Sequence, residues 1–322
     1  MTRIPDHQRL GDDIFCVDTA YQRPRMAACY LVVHRGQVAI IDTGTAHNVP
    51  GLLALLAHLG ISVEQVRYVI PTHVHLDHAG GAGQLMAACP NATLVTHPRG
   101  VPHLVDPARL TAGATAVYGE DAFAREFGEL VAIPEDRAVA AEDGREIDLA
   151  GRPLIFLHTP GHANHHGCVW DPRSRGCFTG DTFGIAYPDL TTNEGPWLFA
   201  TTTPVAFDPG AWHRSLDHIL GKAPETLYLT HFGPIRADAR AEAQLRRSID
   251  AHAALAMEFE DLPADRSQVL RARVKHLLLE DARSAGVTLP EDRIDALIAM
   301  DVMLNAQGLQ VWLQRRAKRA GT

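Results

Sequence analysis

Thr72-His73-Val74-His75-Leu76-Asp77-His78-Ala79-Gly80-Gly81 follows directly on the apolar run Val66-Arg67-Tyr68-Val69-Ile70 and its terminating Pro71. Residues 73–78 bring three imidazoles and a carboxylate into six positions. That crowding is costly unless a cation holds it together, because neutral imidazole and carboxylate are the usual ligands of zinc and neighbouring transition metals. A loop leaving a strand can aim His73 and His75 at one ion while Asp77 and His78 face another. The glycines at 80, 81 and 83 let backbone pass close to such a site.

Outward from this loop, the N-terminal side reads as strands. Asp12 to Asp18, Ala28 to Val33 and Gln37 to Asp42 are rich in β-branched and aromatic residues, with a turn at His34 to Gly36. Leu52, Leu53, Leu55, Leu56 and Leu59 predict a helix stopped by Gly60. On the C-terminal side come a helix from Gly83 to Ala88 and strands at Ala92 to His97 and around Ile155, Val169 and Phe178. A helix from Pro209 to Leu220 and a strand at Glu225 to Phe232 follow. Strands in both halves with helices interspersed predict an α/β fold of two sheets between helical layers. Beyond Pro234 only helices are expected: Ala239 to Phe259, Arg266 to Ala285 and Asp292 to Lys318. The predicted organisation is a catalytic domain over 1–238 and a helical C-terminal extension over 239–322.

The loop resembles the H-x-H-x-D-H signature of the metallo-β-lactamase superfamily, and three later motifs occur in that family's order: His162 in Leu-His-Thr-Pro-Gly-His, Asp181 in Cys-Phe-Thr-Gly-Asp-Thr and His231 in Leu-Tyr-Leu-Thr-His-Phe-Gly. The resemblance covers about residues 10 to 235 and implies a four-layer αββα sandwich. It further implies one metal held by His73, His75 and His162, another by Asp77, His78 and His231, and Asp181 bridging both. Asp42, in Ile-Ile-Asp-Thr-Gly-Thr, matches the position where the family places a carboxylate behind the metal loop. Two zinc ions are expected, with iron or manganese as substitutes. Two such cations sharing a water bring its pKa near neutrality, which makes a bridging hydroxide the nucleophile and Asp77 a proton carrier to the leaving group.

Residues 183–204 follow Asp181 and are long and aromatic for a connection, so Tyr187, Trp197 and Phe199 are expected as pocket walls, with His166 near the site. Composition narrows the substrate. A formal net charge of −8 disfavours nucleic acid. The N-terminus lacks the apolar core of a signal peptide and no run of about eighteen apolar residues occurs, so a cytoplasmic protein without membrane contact is expected. Five scattered cysteines form no C-x-x-C pair and predict neither disulfides nor a zinc ribbon.

Within the family, Thr230-His231-Phe232-Gly233-Pro234 departs from the G-H-x-Y motif of glyoxalase II and persulfide dioxygenases. Gly184 stands where the acyl-homoserine lactonases place tyrosine. The expectation is therefore a binuclear hydrolase of a small ester, lactone or thioester. The alternatives are a mononuclear iron persulfide-dioxygenase-like enzyme, a glyoxalase II-like enzyme, or a scaffold module. A small-molecule substrate is the expected partner, with a homodimer through the C-terminal helices as a further possibility.

Overall fold

The computed structural model describes residues 3–204, 206–262 and 266–320. The ends of the two predicted domain spans, residues 1–2 and 321–322, therefore lie outside the described residues. Seven strands form the first sheet, in the order β1 (His7–Arg9), β2 (Ile14–Asp18), β3 (Ala28–His34), β4 (Gln37–Ile41), β5 (Val66–Ile70), β6 (Thr93–Thr96) and β7 (Ala138–Ala140). β1 to β4 pair antiparallel and β4 to β7 parallel. The second sheet comprises β8 (Arg145–Leu149), β9 (Arg152–His158), β10 (Gly167–Asp171), β11 (Gly176–Gly180), β12 (Thr226–Leu229) and β13 (Gly233–Arg236), hydrogen-bonded in that order. Only β11 and β12 pair parallel there. β13 extends the strand pattern past Pro234, where the sequence predicts helices alone.

Among the described residues, ten helices cover the sheets. α1 (Val49–His58), α2 (Leu76–Ala79), α3 (Ala82–Ala88), α4 (Val101–Val105), α5 (Ala108–Tyr118) and α6 (Glu120–Glu126) precede β7. α7 (Pro209–Leu220), α8 (Ala239–Met257), α9 (Ser267–Ser284) and α10 (Glu291–Ala320) follow β11. α4, α5 and α6 are not legible in the sequence, because Ala-Arg-Leu-Thr-Ala-Gly-Ala-Thr-Ala-Val-Tyr offers few large apolar residues to set a helical period.

Three cores separate the layers. Ile14, Tyr30, Ile41, Ile70, Phe156 and Phe178 fill the space between the sheets. Leu52, Leu55, Leu56, Leu85 and Met86 from α1 and α3 cover the outer face of the first sheet. α7 to α10 cover the second, where Trp212, Leu216, Leu245, Leu278, Ile298 and Leu309 join one cluster. The result is the αββα arrangement, and the C-terminal helices share its core with the second sheet.

Among the described residues, α10 is the one helix long and apolar enough to cross a membrane. Its Ile294, Ile298, Val302, Ala306, Leu309 and Leu313 are instead buried in that core. A polar knot fixes it in place. Asn305 Oδ1 accepts from Thr202 N–H at 2.7 Å, and Asn305 Nδ2 donates to the Ala200 carbonyl at 3.0 Å and lies 3.2 Å from His252 Nε2. Gly308 lies against the Thr202 carbonyl so closely that a Cβ there would stand 1.5 Å from its oxygen.

His252 is fully buried, its Nδ1–H donates to the Ser248 carbonyl at 2.7 Å, and burial lowers its pKa to about 4. In the unfolded chain the same imidazole takes a proton near 6.5. The unfolded state thus binds more protons between these values, and the stability linked to neutral His252 is complete above about 6.5 and is lost as pH falls toward 4. That amounts to about 2 kcal/mol between pH 7 and pH 5. We expect urea midpoints of a His252→Gln variant to fall less than the parent's over this interval; parallel slopes would contradict the linkage.

Candidate active site and metal centre

The strands deliver their chemistry at one edge, beyond the carboxyl ends of β4, β5, β9, β11 and β12, where the chain leaves the sheets for loops. Asp42 follows β4, residues 72–78 follow β5, His162 follows β9, Asp181 follows β11 and His231 follows β12. Two potential ligand sets result, with the donor atoms of each within 4.8 Å of one another: His73, His75, His162 and Asp181, and Asp77, His78 and His231. Asp181 joins them. Its Oδ2 is 3.3 Å from His162 Nε2, and its Oδ1 is 3.2 Å from His78 Nε2 and 3.5 Å from His231 Nε2. Asp77 Oδ2 lies 3.3 Å from His231 Nε2.

The imidazole tautomers are set from outside the cluster. His162 Nδ1–H donates to the Thr201 carbonyl and His231 Nδ1–H to the Met26 carbonyl, each at 2.8 Å. His78 Nδ1–H donates to Asp42 Oδ2 at 2.8 Å. Each of these rings therefore turns an Nε2 inward, the arrangement that metal-binding histidines require. His162 Nε2 faces His75 Nδ1 at 3.1 Å, two ring nitrogens aimed at one another. His73 Nε2, His78 Nε2 and Asp181 Oδ1 are buried without a hydrogen-bond partner among the described residues. Orphaned buried donors and acceptors are costly, and here they converge with the chemistry of a cation site, so the residues present fit bound metal.

Charge is divided across the cluster. Burial pulls His73, His75 and His162 below the ordinary histidine value. At His231 burial is outweighed by Asp181 and Asp77, which lift it to about 9, and at His78 the same carboxylates raise the pKa. Burial alone would raise Asp181 and Asp77, but the surrounding imidazoles hold both below the usual carboxylate range.

Asp42 organises the layer behind the ligands. Besides His78, its carboxylate accepts from Thr72 N–H at 2.8 Å, Thr72 Oγ1–H at 2.9 Å and Thr230 Oγ1–H at 2.7 Å. Its backbone φ of 54° is one that aspartate tolerates better than most residues, and the four donors hold it there. Gly180, just before Asp181, has a φ of 48°, and a Cβ on it would come within 2.6 Å of His166 Nε2 and Thr72 Oγ1. Asp42→Ala should leave those donors unpaired and weaken metal binding roughly 10- to 100-fold. Competition with a chromogenic chelator measures this, and unchanged affinity would remove Asp42 from its supporting role.

A cavity of about 490 Å³ opens above the cluster, with His75, Asp77, Asp181 and His231 on its floor. Tyr187 lines it, as expected; its hydroxyl donates to the Asp301 carboxylate, 3.2 Å from Oδ1, and the Arg23 guanidinium lies 4.3 Å from its ring centre. Trp197 and Phe199 correct the expectation. Both are 0% exposed, stack at 4.7 Å in the core below the loop and do not line the cavity. Trp197 Nε1–H donates to Asp281 on α9 at 2.6 Å, which anchors the loop to the C-terminal helices. His166 lies near the site, as expected, but behind Asp181 and off the cavity. It is fully buried, accepts the Asp181 N–H at Nε2 (3.1 Å) and donates from Nδ1 to Thr159 Oγ1 (2.9 Å). Its neighbour His165 lines the cavity instead. Sequence reasoning missed Met300, Asp301 and Leu304 of α10 and Leu110 and Ala114 of α5, which are among the wall residues. Their signal was apolar residues four apart, off the main buried stripe of α10.

The sequence profile of the Metallo-beta-lactamase superfamily matches residues 23–231. Metallo-beta-lactamase fold-containing protein ST1585 of Sulfurisphaera tokodaii is 25% identical over 219 residues, covering 65% of this chain and 74% of that protein. Acyl-coenzyme A thioesterase MBLAC2 of Bos taurus is 30% identical over 189 residues, 54% of this chain, which spans only 65% of that protein's length. Among solved structures, the metallo-beta-lactamase family protein TTHA1429 of Thermus thermophilus aligns over 94% of both chains at 20% identity with a TM-score of 0.62.

Proposed function

Since the chain belongs to the metallo-beta-lactamase superfamily, we propose that it is a metal-dependent hydrolase that cleaves a small ester, lactone or thioester. The observation that carries this reading is the convergence of two ligand sets on Asp181 at the floor of a cavity of ligand size. His73, His75 and His162 would hold one metal ion, Asp77, His78 and His231 a second, and Asp181 would touch both. Ions bound there would supply Lewis acidity and an acidified water, with zinc the expected species.

The remaining work falls to the chain itself. Asp77 is ionised, faces the cavity and stands beside His231, so its carboxylate is placed to accept a proton and release it to a leaving oxygen or sulfur. The Thr201 and Met26 carbonyls and Asp42 keep three imidazoles from rotating. Enclosing walls limit bulk water around the scissile bond. The likeness to an acyl-coenzyme A thioesterase supports an acyl substrate, although it covers about half the chain.

Elemental analysis of protein purified without added metal, paired with a panel of p-nitrophenyl esters, γ-lactones and acyl thioesters, tests the proposal. Two metal equivalents per chain and turnover of at least one class are expected. One iron per chain, oxygen consumption with a persulfide and no hydrolysis would replace it with the dioxygenase reading.

A further inference from the structure

The cavity over the ligand cluster has two helical walls, each with an apolar face beside polar residues, Arg109 on α5 and Asp301 and Gln307 on α10. From α5, Leu110, Ala114 and Tyr118 lie four residues apart and so present one helical face. From α10, Met300 and Leu304 present another. These five side chains are partly buried, so each keeps surface that a ligand can cover. The space begins at His75, Asp77 and Asp181. A group attached to a carbon atom reacting at that floor would therefore enter between the two helices.

We propose that the cleft between α5 and α10 is an acyl-chain subsite, and that the enzyme prefers substrates whose acyl group carries an apolar chain of several carbons. This inference rests on the hydrolase reading for its substrate class. The occupant follows from size and chemistry. About 490 Å³ is the scale of a small-molecule site, whereas a protein partner requires a broad face of about 800 Å². The apolar faces at Leu110, Ala114, Tyr118, Met300 and Leu304 gain from covering methylenes. α10 lies outside the span matched by the family profile, so this half of the subsite comes from the C-terminal helices.

Each methylene buried in such a cleft is worth about 3- to 4-fold in binding. For the metal-loaded protein, kcat/KM should rise at least 30-fold from p-nitrophenyl acetate to the octanoate, and calorimetry should find octanoate bound at least 30-fold more tightly than acetate. Ala114→Phe fills the cleft from α5. It should erase most of both gains, with metal content and the thermal unfolding midpoint unchanged. Leu304→Lys, on the opposite wall, should act in the same direction and serves if the first variant misfolds. Equal affinity for acetate and octanoate, or ester hydrolysis independent of chain length, overturns the subsite and leaves the hydrolase reading standing. Tight, Ala114-dependent octanoate binding without turnover of any ester does the reverse.

Discussion

An Asp181→Ala variant is expected to lose hydrolysis by about a thousand-fold or more and to bind substoichiometric metal, with its far-UV circular dichroism unchanged. Asp181 approaches donors of both ligand sets, within 3.3 Å of His162, 3.2 Å of His78 and 3.5 Å of His231. Removing it deletes the anion that balances His78 and His231 and separates the two sites. His75→Ala should abolish turnover similarly, by removing the Nδ1 that faces His162 Nε2. Neither residue belongs to the hydrophobic cores, so the fold should survive. Elemental analysis and steady-state kinetics read the result. Near-parental turnover at full metal occupancy in either variant would mean that the ligand assignment is wrong.

Truncation before Glu291 should be as severe for the fold as Asp181→Ala is for the chemistry. Ile294, Ile298, Val302, Leu309 and Leu313 are buried against the rest of the C-terminal core. At about 1.5 to 3 kcal/mol for each buried aliphatic side chain, their loss is on the order of 10 kcal/mol, comparable to the whole stability of an ordinary domain. The truncated chain should aggregate, or bind a hydrophobic dye and unfold without a sharp transition. A monodisperse product with the parent's unfolding midpoint would show that α10 is dispensable.

The candidate ligands at 73–78 were legible because a pattern such as His73-Val74-His75-Leu76-Asp77-His78 has few uses besides holding a cation, and His162, Asp181 and His231 were legible through the family resemblance. Asp42 was legible through the family resemblance as well. The walls were not. Trp197 and Phe199 have the composition of a pocket lining, but whether a ring in a loop faces substrate or core depends on what packs beneath it, here Asp281 and α8 to α10. Met300 and Leu304 read as ordinary helix residues until α5 is placed across from them, and the run at 108–118, with four alanines and few large apolar residues, has no strong apolar period to reveal which face it buries. His165 and His166 are adjacent and chemically identical. Only the turn after β9 decides that one faces the cavity and the other braces Asp181.

The knot that ties Asn305 to Thr202 joins residues 103 positions apart, and it has a consequence during synthesis. Every candidate ligand leaves the ribosome before α10 does, while the outer face of the second sheet still lacks its last covering helix. Until residue 305 emerges, the Ala200 carbonyl and Thr202 N–H lack their Asn305 partners and the apolar faces of α8 and α9 lie open to water. The nascent protein thus exposes apolar surface until its last helix emerges, a window in which chaperone binding competes with misassembly.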